Sequence, residues 1–435
     1  MDAIVKKNIL IALCAGCIVF NTNLIFADTQ TDTSFANGAD IGWLSQMEAR
    51  GYVFYNAEGI QKDCMEILKE YGINALRFRV WVNPRDGWCG KKDVATMAER
   101  AHNMGFRIMI DFHYSDSWAD PGKQNKPAAW SEHTFEELLD DIYNHTTDVL
   151  DTLKLLGITP EWVQIGNETN NGMLWPEGRA STNMNHYAQM VKSGYDAIKA
   201  VDSTIQAIVQ LSNGHDAGMY RWMFDGLKNN GAKWDIIGMS VYPEWAHLDW
   251  ETDVRVSVAN MKDLVTRYDT KVMVCETGYQ YNEPYAANNF LFELIEQTKS
   301  AGGLGAFYWE PESYNMGYSM GAWDPFTKKP TIAMDAFLGI KKSDTAGIHS
   351  VEKNNHDEAV TLFPNPLSNK ALTVKLKNPA GTTRVRIYSI TGQKLREKYT
   401  NQNNVVFNDL ELPSGIYFIQ IINQNNIEVR KLIVK

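Results

Sequence analysis

Apolar residues follow two rhythms along the chain. Runs such as Trp162-Val-Gln-Ile165 and Lys271-Val-Met-Val-Cys275 are nearly continuous, as in strands covered on both faces. Between such runs, apolar positions recur every three to four residues, the mark of amphipathic helices. In order, strands are predicted at 38–43, 74–82, 107–113, 162–168, 206–211, 234–243, 271–276 and 305–310. Helices are predicted at 58–72 (with Ile60, Cys64, Ile67 and Leu68 on one face), 96–105, 135–156, 185–201, 222–229, 254–268 and 286–301. Strands alternating with helices eight times over roughly 300 residues predict an α/β fold, a (β/α)8 TIM barrel. After Gly339 the pattern changes to a polar stretch and then short alternating strands at 372–376, 384–388, 405–407 and 415–421, which predict a small all-β sandwich. The expected organisation is a leader at 1–27, the barrel at 28–340, a linker at 341–358 and the carboxyl-terminal domain at 359–435.

Among the predicted strands that end in a carboxylate, two share the same grammar. Trp162-Val-Gln-Ile-Gly-Asn-Glu168 turns at Gly166 and presents Asn167 and Glu168, and Lys271-Val-Met-Val-Cys-Glu276 presents Glu276. Barrel enzymes keep their chemistry at this end of the strands, where two carboxylates can flank a glycosidic bond, one as proton donor and the other as nucleophile or base. Either glutamate alone would serve equally well as a helix cap or rim ion pair. Arg77, Arg79 and Trp81 share one strand face; charges inside a barrel need partners, so Arg79, nearest the carboxyl end, is expected to meet a site carboxylate. His113, Asp116, Trp118 and Asp120 follow the third strand in a stretch too polar and aromatic for a mere connector, with His113 a hydrogen-bond partner rather than a base. Trp175, Tyr242 and Trp309 stand at other strand mouths, Trp175 as a sugar platform and Tyr242 as a hydrogen-bond donor to Glu276.

Composition narrows the substrate. The 435 residues include 13 Trp and 19 Tyr, and such rings cover the apolar faces of sugars, although core packing also consumes them. A net charge of −10 argues against nucleic acid or an anionic membrane as partner. Lys6 and Lys7 precede an apolar run, 8–20, too short to span a bilayer; it reads as a signal peptide cleaved after Ala27, with Cys14-Ala-Gly-Cys17 loosely like a lipoprotein site. Cleavage after Ala27 leaves Cys64, Cys89 and Cys275, an odd number, with Cys275 read as a packed strand residue. From Thr361 onward there are 11 Lys+Arg and 4 Asp+Glu, against −17 for the remainder, as expected of a module with a separate task.

Positions 36–339 resemble glycoside hydrolase family 53, the arabinogalactan endo-β-1,4-galactanases. The resemblance lies in Gly38-Ala-Asp-Ile41, Leu76-Arg-Phe-Arg-Val-Trp-Val-Asn-Pro84, Asp111-Phe-His-Tyr-Ser-Asp116, Trp118-Ala-Asp-Pro-Gly-Lys-Gln124, Gln164-Ile-Gly-Asn-Glu168, Met173-Leu-Trp-Pro176, Val274-Cys-Glu-Thr-Gly-Tyr279 and Phe307-Tyr-Trp-Glu-Pro311. It implies Glu168 as acid/base, Glu276 as nucleophile, retention of anomeric configuration and pectic β-1,4-galactan or arabinogalactan as substrate. In that scheme Arg79 and Tyr242 keep Glu276 ionised and Asn167 binds the sugar 2-hydroxyl. Two departures stand out. Only 279–285 separates the Glu276 strand from its helix, which leaves few oxygen ligands for the calcium some members bind there, and no metal or cofactor is required. In Tyr242-Pro-Glu-Trp-Ala-His247, Glu244 replaces the usual aromatic before Trp245, a candidate sugar contact.

The carboxyl-terminal region is similar to type IX secretion sorting domains through Phe363-Pro-Asn-Pro366, Val385-Arg-Ile-Tyr-Ser-Ile-Thr-Gly392, Leu412-Pro-Ser-Gly-Ile-Tyr417 and Lys431-Leu-Ile-Val-Lys435. This implies handling by secretion machinery and a secreted or surface-attached product; a spacer or binding module is the plainer alternative. The functional expectation is a monomeric retaining galactanase. The alternatives are a clan relative acting on β-mannan or β-glucan and a catalytically silent glycan-binding protein.

Overall fold

A computed structural model describes residues 35–342, 360–367, 370–376, 382–389, 393–423 and 426–435. The expected leader at 1–27 and nearly all of the 341–358 linker lie outside these residues. Eight strands close into a barrel: β1 (Ala36–Asp40), β2 (Ala75–Val80), β3 (Arg107–Phe112), β4 (Trp162–Ile165), β5 (Gln206–Leu211), β6 (Ile236–Val241), β7 (Lys271–Thr277) and β8 (Gly305–Trp309). Every neighbouring pair is parallel, and β8 closes on β1 with Gly38 opposite Phe307. The (β/α)8 fold follows from the sequence rhythm as expected.

Strand alternation divides the core in two. Val163, Ile165, Val272 and Val274 join a large cluster under the surrounding helices, whereas Ala36, Ala75, Met109, Trp162, Ile208, Ile236, Met273, Cys275 and Phe307 fill the barrel interior. Gly38 is required there, because a Cβ would stand 2.2 Å from the Phe307 ring. The apolar floor leaves the carboxyl ends of the strands to carry polar side chains.

Some helices begin earlier than the apolar rhythm alone indicates where a polar cap sets the first turn, and a cap also fixes the expected start of another. Asp249 caps Trp250–Tyr268, Asp216 caps Ala217–Asn229, and Thr134 forms a capping box with Glu137 at Phe135–Leu155. One expectation fails outright. The segment 58–72 is not one helix: Gln61–Lys62 pairs antiparallel with Phe54–Tyr55, and helix begins only at Cys64, where Asp63 accepts from Met65 N at 2.7 Å. Asn56 accepts from Ile60 N at 2.9 Å and Gly59 has φ +86°, so the chain turns there and leaves Ile60 57% exposed.

The carboxyl-terminal residues form two antiparallel sheets. One contains β9 (Val360–Phe363), β10 (Leu372–Leu376) and β13 (Asn404–Phe407); the other contains β11 (Thr383–Ser389), β12 (Lys394–Thr400), β14 (Gly415–Asn423) and β15 (Asn426–Val434). Val374 and Phe407 from the first sheet share one core with Ile387, Ile419 and Leu432 from the second, as in a sandwich. Strand β12 escaped prediction because Lys394-Leu-Arg-Glu-Lys-Tyr-Thr400 buries no residue and reads as a polar segment.

Candidate active site

Above the apolar floor, the inward positions carry Asp40, Arg77, Asp111, Gln164, Gln210 and Ser240, all nearly inaccessible to solvent. Arg77 organises them. Its Nη1 donates to Asp40 Oδ2 at 2.5 Å, and its Nη2 donates to Glu276 Oε1 at 2.8 Å, Asn167 Oδ1 at 2.9 Å and Gln164 Oε1 at 3.1 Å. Asp111 Oδ2 completes the ring of acceptors, 2.9 Å from the same nitrogen. A guanidinium this deeply buried persists because several carboxylates compensate its desolvation.

Strict alternation along β7 would send Glu276 outward with Val272 and Val274. The register slips instead: Met239 faces Val274 on β6, but Ser240 faces Glu276, and a matching slip occurs against β8. This bulge at Cys275 turns Glu276 onto Arg77. Glu168 arrives by a different device. Gly166 has φ +77°, where a Cβ would stand 2.6 Å from Thr169 Cγ2, and Glu168 itself has φ +44°. Its backbone N donates to Gln210 Oε1 at 2.5 Å, and its Oε1 accepts from Ser240 Oγ at 2.8 Å.

The two carboxyls line one small pocket of about 150 Å³ with His113, Trp118, Asp120, Asn167, Tyr242, Trp245 and Trp309. Larger hollows of about 530 and 730 Å³ lie at the amino ends of the strands, away from Glu168 and Glu276; the first is lined by no carboxylate and the second by Asp235 and Asp269 among four lysines. Burial pushes Glu168 up to about 7, partly opposed by the Ser240 hydroxyl and Arg77. Burial likewise raises Glu276 well above the usual carboxylate range, with Arg77 pulling it back and Glu168 and Asp111 resisting a further charge. Glu276 has a guanidinium N–H within hydrogen-bond reach and Glu168 only a hydroxyl. The guanidinium favours a charge on Glu276 more than the hydroxyl favours one on Glu168.

Other expected residues fall in different places. Arg79 does not reach Glu276; it pairs with Glu310 and packs 4.4 Å from the Trp118 ring, with Trp43 and Trp81 at 5.6 Å. The side chain one turn of alternation deeper, Arg77, holds that role, because strand tilt brings position 77 level with the end of β7. Asp116 fastens loop backbone, accepting from Asn83 N at 2.9 Å and Ala128 N at 2.8 Å, and does not line the pocket. Trp175 is also outside the pocket: Arg179 lies 4.2 Å over its ring and its Nε1 donates to Asn171 O at 2.9 Å. The Tyr242 hydroxyl makes no hydrogen bond to Glu276. Both nitrogens of His113 are occupied, Nε2 with Asp111 at 2.9 Å and Nδ1 as acceptor from Trp81 Nε1 and Ala119 N at 3.2 Å, which makes it a brace. Asp120 lines the pocket and raises Glu168 by its charge, while its Oδ1 accepts from Gly122 N at 2.9 Å.

Trp43, Trp81, Trp118, Trp309 and Tyr318 make a continuous aromatic wall, with ring centroids 4.7–6.1 Å apart along the chain of contacts. Among the described residues, no group of three or more His, Cys, Asp or Glu is arranged to hold a metal ion. Sequence reading singled out neither Asp40 nor the Gln164, Gln210 and Ser240 set, although period two from Trp162 already points Gln164 inward.

Residues 36–365 match the family model described as Glycosyl hydrolase family 53. The chain belongs to that family. Family 53 relatives include the Endo-beta-1,4-galactanase of Bacillus subtilis, 30% identical over 82% of this chain and 86% of that protein. The Arabinogalactan endo-beta-1,4-galactanase of Cellvibrio japonicus is 32% identical over 70% of this chain and 87% of its own length. A solved structure from work on two fungal beta-1,4-galactanases superposes with a TM-score of 0.66 at 27% identity, covering 70% of this chain and 99% of that one. Residues 361–435 match the Secretion system C-terminal sorting domain, so this family 53 enzyme carries a type IX export signal and acts outside the cell or on its surface.

Proposed function

We propose that the protein is a retaining endo-β-1,4-galactanase acting on the galactan and arabinogalactan side chains of pectin, with Glu168 as acid/base and Glu276 as nucleophile. The observation that carries this assignment is the contrast between the partners of the two carboxyls in one pocket: Glu276 on a buried guanidinium, Glu168 on a hydroxyl. Family membership and the galactanase relatives supply the substrate.

In the first step Glu276 attacks the anomeric carbon, the glycosidic C–O bond breaks, and the departing oxygen takes the Glu168 proton. In the second, Glu168, now a carboxylate, takes a proton from water as that water displaces the Glu276 ester and returns it to a carboxylate. Two inversions retain the β configuration. Asn167 Nδ2 spends one hydrogen on Ala119 O at 2.9 Å and has a second for a sugar hydroxyl. Trp118, Trp309 and the half-exposed Trp245 offer ring faces for galactosyl units. All these groups come from one chain, in keeping with an enzyme that works as a monomer.

Glu168→Gln and Glu276→Gln should each lower turnover on galactan by about 10²–10⁴-fold or more while galactan still binds in affinity electrophoresis. Near-normal turnover in either variant removes that residue from its role. Parallel reducing-sugar assays on galactan, mannan and cellulose separate the galactanase from a mannan or glucan hydrolase, and no hydrolysis of any of them would leave a binding protein.

A further inference from the structure

Every amide in the layer beneath Glu168 has its orientation fixed by a neighbour that can only donate. Arg77 has no acceptor, so Gln164 must turn Oε1 toward it (3.1 Å), which leaves the two Gln164 Nε2 hydrogens shared among Gly166 O and Asn167 Oδ1, both at 3.1 Å, and Gln210 Oε1 at 3.3 Å. Gln210 Oε1 also receives the Glu168 backbone N–H at 2.5 Å, so Gln210 Nε2 is the end that meets Ser240 Oγ, at 2.6 Å. That nitrogen also only donates. Ser240 Oγ therefore accepts from Gln210, and its single proton is left for Glu168 Oε1 at 2.8 Å.

We infer that Arg77, Gln164, Gln210 and Ser240 form a one-way hydrogen-bond relay that positions the acid, occupying Oε1 of Glu168 with a donated proton and so confining the transferable proton to Oε2, the oxygen left to the pocket. The four relay side chains are all at most 1% exposed, so water does not compete for these bonds. The relay works in both halves of the reaction. When Glu168 is neutral, a hydrogen on Oε1 would meet the Ser240 hydrogen head-on, so the acid carries its proton where the glycosidic oxygen arrives. When Glu168 is ionised, the Ser240 donor stabilises the charge and keeps the carboxylate from turning away from the incoming water. Ser240 touches no reacting atom and is a positioning residue. The same guanidinium serves Glu276 directly and Glu168 through the relay.

The inference rests on Glu168 being the acid, and the test separates the two claims. Rates are measured for wild type, Ser240→Ala, Ser240→Thr and Glu168→Gln on galactan, whose leaving group needs a proton, and on 2,4-dinitrophenyl β-galactobioside, whose leaving group does not. The pre-steady-state burst of dinitrophenol isolates the first step. Ser240→Ala should lose about tenfold or more in kcat on galactan with KM little changed and retain the burst rate. The basic limb of its kcat/KM profile should move up by about one pH unit, because a donor to the charged form is gone. Ser240→Thr, which keeps the hydroxyl, should restore both. If Glu168→Gln shows the leaving-group split and Ser240→Ala does not, or if the basic limb stays in place, the relay is overturned and the acid assignment stands. If Glu168→Gln loses equally on both substrates, the acid assignment itself fails.

Discussion

Replacing Arg77 by Lys tests the charge arrangement at its centre. Arg77 spans Asp40 through Nη1 at 2.5 Å and Glu276 through Nη2 at 2.8 Å, and a lysine ammonium, with one nitrogen, cannot hold both. An opposite charge in contact lowers a carboxyl pKa by about 1–3 units. Losing it at Glu276 should carry the acid limb of the kcat/KM profile upward by about one unit or more, narrowing the bell from the acid side. The sign follows from the reacting form: Glu276 must be ionised, and a higher pKa ionises it later as pH rises. Leaving carboxylates buried without their partner costs on the order of 3 kcal/mol, roughly 10 °C in Tm at about 2–4 °C per kcal/mol. The assay is initial-rate reducing-sugar release from galactan across pH, with circular dichroism to establish folding. Arg79→Lys is the control, since Arg79 pairs with Glu310 and Asp40; it should lose stability and keep the acid limb in place. A folded Arg77→Lys enzyme with an unmoved acid limb, or an equal shift in the Arg79 variant, would refute the reasoning.

Glu168 should also leave a trace in stability against pH. Its folded pKa, about 7, lies above the roughly 4.3 of an unfolded glutamate, so its stabilising contribution is complete below the unfolded value and lost as pH rises through 7. The Tm gain of Glu168→Gln over wild type should therefore be larger at pH 8 than at pH 5; a constant offset contradicts the assignment. Trp245, 52% exposed and resting on the Tyr242 ring at 4.2 Å, offers ring surface to the cleft, so Trp245→Ala should raise KM for galactan about five- to tenfold with Tm little changed. A Tm loss of several degrees would make it a structural residue instead.

The barrel was legible because its strands and helices keep separate rhythms and because Gly166-Asn167-Glu168 marks a strand end without help from context. Most of what escaped reading depends on contacts between residues distant in sequence. The bulge at Cys275 reverses the parity of β7, so counting alternate positions would have aimed Glu276 at the helices. The choice between Arg77 and Arg79 turns on the depth at which neighbouring strands meet, which is a property of barrel tilt. Ile60 looked like a helix-face residue until Asn56 and Gly59 bent the chain ahead of it. The polar residues beneath Glu168 were hidden in plain apolar strands, one to a strand, and only closure of the sheet brings them together.

The aromatic wall has a photophysical consequence. Trp43, Trp118 and Trp309 stand within 5.8 Å of one another along their contacts, and Trp81 lies 5.2 Å from Trp118, close enough to share excitation energy as a single emitting group. Because Trp118 and Trp309 also face the cleft, a sugar settling there changes the surroundings of the whole group at once. The enzyme thus carries a native fluorophore at its binding groove, and occupancy can be followed optically without attaching a dye.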